Sequence, residues 1–260
     1  MPVVLRDLLD GVPAAEVRDR EWRRGELPPR RLGWRILGQV LERAVPIAER
    51  ASGLRTREPR SVDVDVDLGG GRRLRGTVPQ VFGDRLVPAS YSRLGAPHRL
   101  QSWIQLLALA ATDPDHAWTA HTLGRPTNSR SRDRVGMSLL GPLDHRAQEW
   151  LRDLVDLRDL GLQAPLPIPL RTSLAYARKR RTQMGAAEAL DAVGRYEWAD
   201  GRFPGECSEA AHRRLWPDRV LPGVAEPASA AEQAPGEVGR FGSLALRVWA
   251  PLLDAEQGSW

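Results

Sequence analysis

The sequence predicts an α/β (α+β) protein: a central mixed sheet flanked by helices in the order α-β-β-β-α-β, followed by C-terminal helices. Three observations predict it. Apolar residues recur at helical spacing before residue 60, and the period then switches to two in SVDVDVDL (61–68). Glycine-bearing turns at 69–71 and 83–84 separate runs of strand length. Helical spacing returns behind Pro97 and again in LDHRAQEWLRDLVDLRDLG.

In chain order, LPPRRLGWRILGQVLERAVPIAERA opens on paired prolines suited to a helix start. It places Leu32, Ile36, Leu37, Val40 and Leu41 on one face, and Pro46 is expected to kink or end it. Val62, Val64, Val66 and Leu68 then alternate with Asp63, Asp65 and Asp67, the pattern of a half-buried strand. The glycines at 69–71 turn the chain into a second strand, RRLRGTVPQVF (72–82), where Pro79 signals an edge or a bulge. Gly83-Asp84 is a two-residue hairpin signal, and RLVPASYS (85–92) returns as the third strand. Pro97 opens a helix with Leu100, Trp103, Ile104, Leu107 and Ala111 as its expected buried stripe. Strands follow at AWTAHTL (117–123) and VGMSLL (135–140), joined by the arginine-rich loop GRPTNSRSRDR (124–134). The clearest helix carries Ala147, Trp150, Leu151, Leu154 and Leu157 on one face, with Gly161 as its stop. Further helices are predicted near 172–182, 186–198 and 208–216, and a last one at FGSLALRVWAPLL. Residues 221–239 are poor in bulky apolar groups and read as flexible. The resulting division is an N-terminal helical segment, 1–60, a sheet-and-helix core, 61–171, and a C-terminal helical extension, 172–260.

An apolar fraction of 42% and nine tryptophans argue against disorder along most of the chain. No run of about 18 apolar residues predicts a membrane span. The N-terminus is too acidic and interrupted for a secretory signal. The single cysteine, Cys207, fits a reducing compartment, so a cytoplasmic location is expected. The net charge of +5 is carried almost wholly by arginine, Lys179 being the only lysine. Arginine grips phosphate in a planar fork; a GC-rich genome would enrich it equally well.

Candidate chemistry is sparse. Same-face residues on a strand lie about 6.5 Å apart, so Asp63, Asp65 and Asp67 read as a solvated face rather than a chelate. Asp113, Asp115, His116 and His121 form a compact acid and histidine cluster, but Asp-Pro-Asp is also an ordinary turn. Cys207 and His212 have too few companions for zinc. GMSLLG is not a nucleophile elbow, and no Gly-Lys-Ser/Thr follows the glycines, so no cofactor is expected and the chain is no ATP-driven motor.

The order α-β-β-β-α-β is that of the PD-(D/E)XK nucleases, which carry acids on the second and third strands and a lysine beside them. Here the second strand offers Thr77, Val78 and Pro79, and the third offers Ser90, Tyr91 and Ser92. Pro79, Ser90 and Ser92 stand at the degenerate positions, and none supplies a charged ligand. No catalytic site is expected in this chain.

The run LRGTVPQVFGDRLVPASYSRLGAPHRLQSWIQLLALAA resembles the C-terminal domain of the exodeoxyribonuclease V gamma subunit family, RecC. The resemblance continues in RRGELPPRRLGWRIL, LRDLGLQAPLPIPLRTSLAYA, GRFPGE with AHRRLW, and FGSLALRVWAPLL, in the same order and over nearly the whole chain. It implies a nuclease-like fold without a nuclease site, within a RecBCD-like helicase–nuclease that repairs double-strand breaks by homologous recombination. It also implies contact with double-stranded DNA ends, docking of RecB-like and RecD-like subunits, and a hairpin that helps part the strands. The family protein is several times longer, with helicase-like domains ahead of this region. The chain is therefore expected to correspond to its last quarter, as a fragment, a split gene or a relic.

For DNA contact the first candidates are Arg125, Arg130, Arg132 and Arg134, on a loop with Asn128, Ser129 and Ser131. Arg72, Arg73 and Arg75 beside the glycine turn come second. Solvated loop charge is the competing reading for both groups. Arg178, Lys179, Arg180 and Arg181 read as a helix surface or a subunit contact, and Trp103, Trp118 and Trp150 as core. Two alternatives stay open: a divergent magnesium-dependent nuclease using Asp63, Asp65 or Asp84, and a scaffold that binds only protein.

Overall fold

The computed structural model describes residues 2–127, 133–237 and 239–257. Two compact units divide the chain: one runs to Gln148 and takes the chain back at Glu256, and the other is Glu149–Ala255.

The first unit begins with α1 (Pro2–Leu9), α2 (Ala14–Arg23) and α3 (Arg30–Leu54). Leu37, Val40 and Leu41 are buried as expected, and Gly33, Ala44, Ile47, Ala48 and Ala51 continue their stripe. Leu32 is 59% exposed, because each residue turns about 100° and Gly33 already holds the inward position. Pro46 does not end the helix, which runs on to Leu54. The backbone bond lost at the proline is offset by the apolar surface buried on both sides of it.

The period-two segment forms β1 (Pro59–Gly69), paired antiparallel with β2 (Arg72–Phe82). Val64, Val66 and Leu68 point inward while Asp63, Asp65 and Asp67 are exposed. Gly70 and Gly71 both have positive φ, the backbone a two-residue hairpin turn demands. At Pro79 the register slips: Val62 faces Val78, Arg60 faces Val81, and Pro79 and Gln80 bulge against Ser61. The expected third strand is broken into β3 (Arg85–Leu86) and β4 (Ala89–Arg93) by the intervening Val87-Pro88. α4 (Ala96–Thr112), β5 (Thr119–Arg125) and β6 (Gly136–Leu140) follow, and β7 (Glu256–Gln257) returns from the chain's far end. The sheet is mixed, ordered β1-β2-β3-β5-β6-β7, with β4 alongside β5 beyond β3. β3 and β4 run parallel to β5, and the other pairs are antiparallel.

Successive residues of β5 look to opposite faces. Leu123 joins the core formed by α1, α2 and α3. On the other face the Thr122 hydroxyl donates to Ser102 of α4 at 2.7 Å. The buried stripe of α4 is offset from the expected one: Ile104 is 40% exposed, and Arg99, Ser102, Trp103, Leu106 and Leu107 are buried. Arg99 is the surprise, a guanidinium only 1% exposed. Its Nε donates to Glu256 Oε1 at 2.6 Å, its Nη2 reaches the other oxygen, and Ser138 Oγ of β6 donates to Oε1 at 2.5 Å.

In the second unit, α5 (Ala147–Gln163) buries Leu151 and Leu157 and runs two residues past Gly161. α6 (Leu170–Arg181) packs on α9 (Arg240–Ala255), with Tyr176 edge-on to Phe241 at 5.4 Å and Trp249 Nε1 donating to Ser173 Oγ at 2.9 Å. α7 (Ala186–Val193) ends in a π-helical turn, Gly194–Trp198, and α8 (Ala210–Leu215) is shorter than predicted. The segment 221–237 carries no helix, yet its glutamates are tied down. Glu232 and Glu226 accept from Arg240 at 2.9 and 2.8 Å, and Glu237 accepts from Tyr176 at 2.9 Å and Arg180 at 2.6 Å.

Removing one partner of the Arg99–Glu256 pair strands a charge in a dry interior. Glu256→Gln or Arg99→Met is expected to cost about 3–5 kcal/mol in denaturant unfolding, and the double replacement Arg99→Met with Glu256→Leu less than either single change. A single change costing under about 1 kcal/mol contradicts a structural role for the pair.

Candidate nucleic-acid interface

Ser90, Tyr91 and Ser92 of β4 line a cleft of about 410 Å³ with Ala89, Gln80 of the β2 bulge, Arg55 behind α3, and Leu5, Arg6, Leu9 and Asp10 at α1. The break after β3 turns β4 toward α1, and the bulge holds Gln80 at φ 56°. Such a left-handed backbone costs a side-chain-bearing residue about 1–3 kcal/mol and persists only where its surroundings impose it. Close approach of the chains is built in at Gly124, where a Cβ would stand 2.9 Å from the Ser92 carbonyl oxygen.

The donor set is cationic and neutral. Arg55 Nη2 donates to the Val87 carbonyl at 2.9 Å, and its guanidinium lies 4.9 Å over the Phe82 ring. Burial holds its pKa below the usual arginine range, opposed by Asp10. Its Nε is buried without a hydrogen-bond partner. Arg125 covers Tyr91 at 4.8 Å, and its Nε is likewise unpartnered. Among the described residues, Asp10 is the one carboxylate on the cleft wall. Of Pro79, Ser90 and Ser92, the two serines reach the cleft, with the Ser90 hydroxyl accepting from the Ser92 backbone at 3.1 Å, while Pro79 is exposed on the bulge.

The acids of the sheet do not converge. Asp63 accepts from Thr77 at 2.8 Å, Asp67 from the backbone of Gly69 at 2.8 Å, and Asp84 lies 3.5 Å from Arg85. Asp65 is gripped by Arg73 and Arg75 at 2.8 and 3.2 Å, and these bonds hold its carboxyl below the usual range. Arg73 and Arg75 therefore spend their charge within the hairpin, and Arg72 stands at its turn. Among the first-ranked arginines, Arg130 and Arg132 lie outside the described residues. Arg134 is exposed on a groove of about 480 Å³ with Arg50, Glu49 and Asp133. Arg125 faces Tyr91 rather than solvent alone. Trp103 and Trp118 are core, and Arg180 and Arg181 serve their own unit through Glu237 and Asp254.

Among the described residues, one group has metal-ligand spacing, Glu206, Glu209 and His212 in the second unit. Its geometry is that of a helix cap. Glu206 accepts from the Arg171 and Thr172 backbones and the Thr172 hydroxyl at 2.8–3.0 Å, so its carboxylate satisfies the first turn of α6. Cys207 is buried beside it. Asp113, Asp115, His116 and His121 form no ligand group among the described residues, in keeping with the turn reading: His116 packs on Trp118 at 4.0 Å, and His121 sits half-buried near Thr119. The cleft wall contributed by α1, Arg55 and Gln80 was missed from the sequence, since residues so far apart carry no shared local pattern.

Three relatives and one family match the chain. The family described as RecC C-terminal domain matches residues 3–181. The RecBCD enzyme subunit RecC of Mycolicibacterium smegmatis is 43% identical over 255 residues, covering 98% of this chain and 23% of the relative. Proteins of the same description from two strains of Mycobacterium tuberculosis are 42% identical over 258 residues, covering 97% of this chain and 22% of each relative. The chain thus spans under a quarter of the length of these relatives.

Burial, followed by Arg85 and Arg50, pushes the His121 pKa down. The unfolded chain takes up that proton first, near pH 6.5, so the contribution of neutral His121 is present above about that pH and falls away as the pH drops through it. His121→Gln is expected to flatten the decline of Tm between about pH 7.5 and 5.5; an unchanged profile contradicts the assignment.

Proposed function

The chain belongs to the RecC C-terminal domain family, and on that premise we propose that it is a non-catalytic DNA-binding and subunit-docking domain of a RecBCD-like helicase–nuclease in double-strand break repair. Similarity to RecC subunits along almost the whole chain carries the reading. The cleft supports its non-catalytic half. A hard divalent cation wants several converging carboxylate oxygens. Two arginines, two serines, a tyrosine and a glutamine facing one aspartate suit an anion instead. On this reading the sheet is a PD-(D/E)XK-like core whose site has been emptied at Pro79, Ser90 and Ser92.

DNA contact is assigned to the arginines of the 124–134 loop, where Arg134 has no ion-pair partner among the described residues. Arg72, Arg73 and Arg75 take second place, because the bonds to Asp65 must be broken or shared before Arg73 and Arg75 meet a phosphate. RecB-like and RecD-like subunits are the proposed protein partners.

Two measurements test this. Binding of a blunt duplex is expected to weaken with salt, and the combined replacement of Arg130, Arg132 and Arg134 by Ala to lower the logarithmic salt slope by roughly 0.9 for each lost contact. An unaltered slope removes the loop from the interface. Linear DNA incubated with Mg²⁺ or Mn²⁺ is expected to stay intact; cleavage lost in Asp10→Ala or Asp84→Ala would reverse the non-catalytic assignment.

A further inference from the structure

Two indoles on the first unit have no place in its core. Trp22 near the end of α2 is 38% exposed, Trp34 in the second turn of α3 is 44% exposed, and their rings meet edge to face at 5.2 Å. Arg18 lies 5.1 Å over the Trp34 ring, with its Nε buried and unpartnered. The two indoles, with Arg30, Arg31 and Arg35, line a shallow recess of about 520 Å³ with no carboxylate on its wall among the described residues. On α2, Glu16 pairs with Arg20 and Glu21 with Arg24. Arg23, Arg30, Arg31 and Arg35 are exposed and form no ion pair among the described residues.

These features ask for a ligand that is flat, apolar on its faces and strongly anionic at its edges. Arg18 covers part of the Trp34 ring, and the edge-to-face pair, with both indoles over a third exposed, leaves further ring surface open to stacking. Arginine contributes forked phosphate contacts and lies flat against a base. An acidic protein segment satisfies the charge but not the open ring surface. Paired bases in a duplex have their faces covered by their neighbours.

We propose that the α2–α3 recess is a binding site for single-stranded nucleic acid. Unpaired bases stack on Trp22 and Trp34, and the flanking phosphates are held by Arg30, Arg31 and Arg35. The site stands on its own observations and does not depend on the arginine loop or on the cleft at Ser90.

The test uses the full chain and an oligothymidylate of about a dozen nucleotides, an abasic strand of equal length, a blunt duplex and a polyglutamate peptide, read by fluorescence anisotropy. The thymidylate is expected to bind at least about tenfold more tightly than the abasic strand, since stacking is worth about 1–3 kcal/mol per base. Trp22→Ala and Trp34→Ala are each expected to weaken thymidylate binding about tenfold while leaving duplex binding and Tm in place, and Trp34→Phe to retain most of the affinity. Should Trp34→Ala lower Tm, the Phe variant and the abasic strand still decide. Equal binding of abasic and thymidylate strands overturns the proposal. So does polyglutamate binding that is tighter than thymidylate and equally dependent on the two indoles, which assigns the recess to an acidic protein. Loss of duplex binding alone bears on the loop and leaves this site standing.

Discussion

The buried Arg99–Glu256 pair is the constraint on which the first unit turns. Each ion costs several kcal/mol to remove from water, so such a pair persists only where its geometry and its remaining hydrogen bonds are both held. Ser138 fills one of the carboxylate's remaining acceptor sites. The three side chains come from α4, β6 and the returning β7, so one network ties helix, sheet and the far end of the chain together. The Thr122–Ser102 bond adds a second polar contact on the same face. Apolar packing alone is non-directional, and these bonds set where α4 lies along the strands.

The opposite face is free to be used differently. There α1 and α3 pack on β4 and β5, and the break between β3 and β4 leaves a cleft instead of a continuous ladder. In a protein with one lysine, arginine serves both as internal connector and as surface charge. Many arginines are committed: Arg73 and Arg75 to Asp65, Arg180 to Glu237, Arg240 to Glu226 and Glu232. An arginine held by a carboxylate offers little field to a distant phosphate. Exposed arginines without a carboxylate partner among the described residues include Arg134 and those around the Trp22–Trp34 recess, and the sequence pI of about 10.2 gives no hint of which they are.

Much of the secondary structure was legible because its signals are local. The valine–aspartate alternation, the glycine turns and the proline before α4 each act over a few residues, and β2 has the bounds its sequence indicates. Errors arose where tertiary burial overrode a local rule. Pro46 and Gly161 are helix breakers by propensity, yet lie inside helices stabilised by their packing. Leu32 and Ile104 fit an apolar spacing but fall just off the face that is buried. Glu226, Glu232 and Glu237, in a stretch that composition marks as flexible, find arginines from helices before and after it.

By itself the sequence determined the α/β class, the hairpin of β1 and β2, and the likeness to RecC. Tertiary structure alone decided that Arg99 is core and that Glu256, 157 positions away, is its counterion. It also decided that α1 walls the cleft at Ser90, and that Trp22 and Trp34 meet at the surface instead of in the core. The reason is range. Turns and periodic faces are written in neighbouring residues, whereas a counterion, a cleft wall or an edge-to-face pair of rings exists only once separate segments have been brought together.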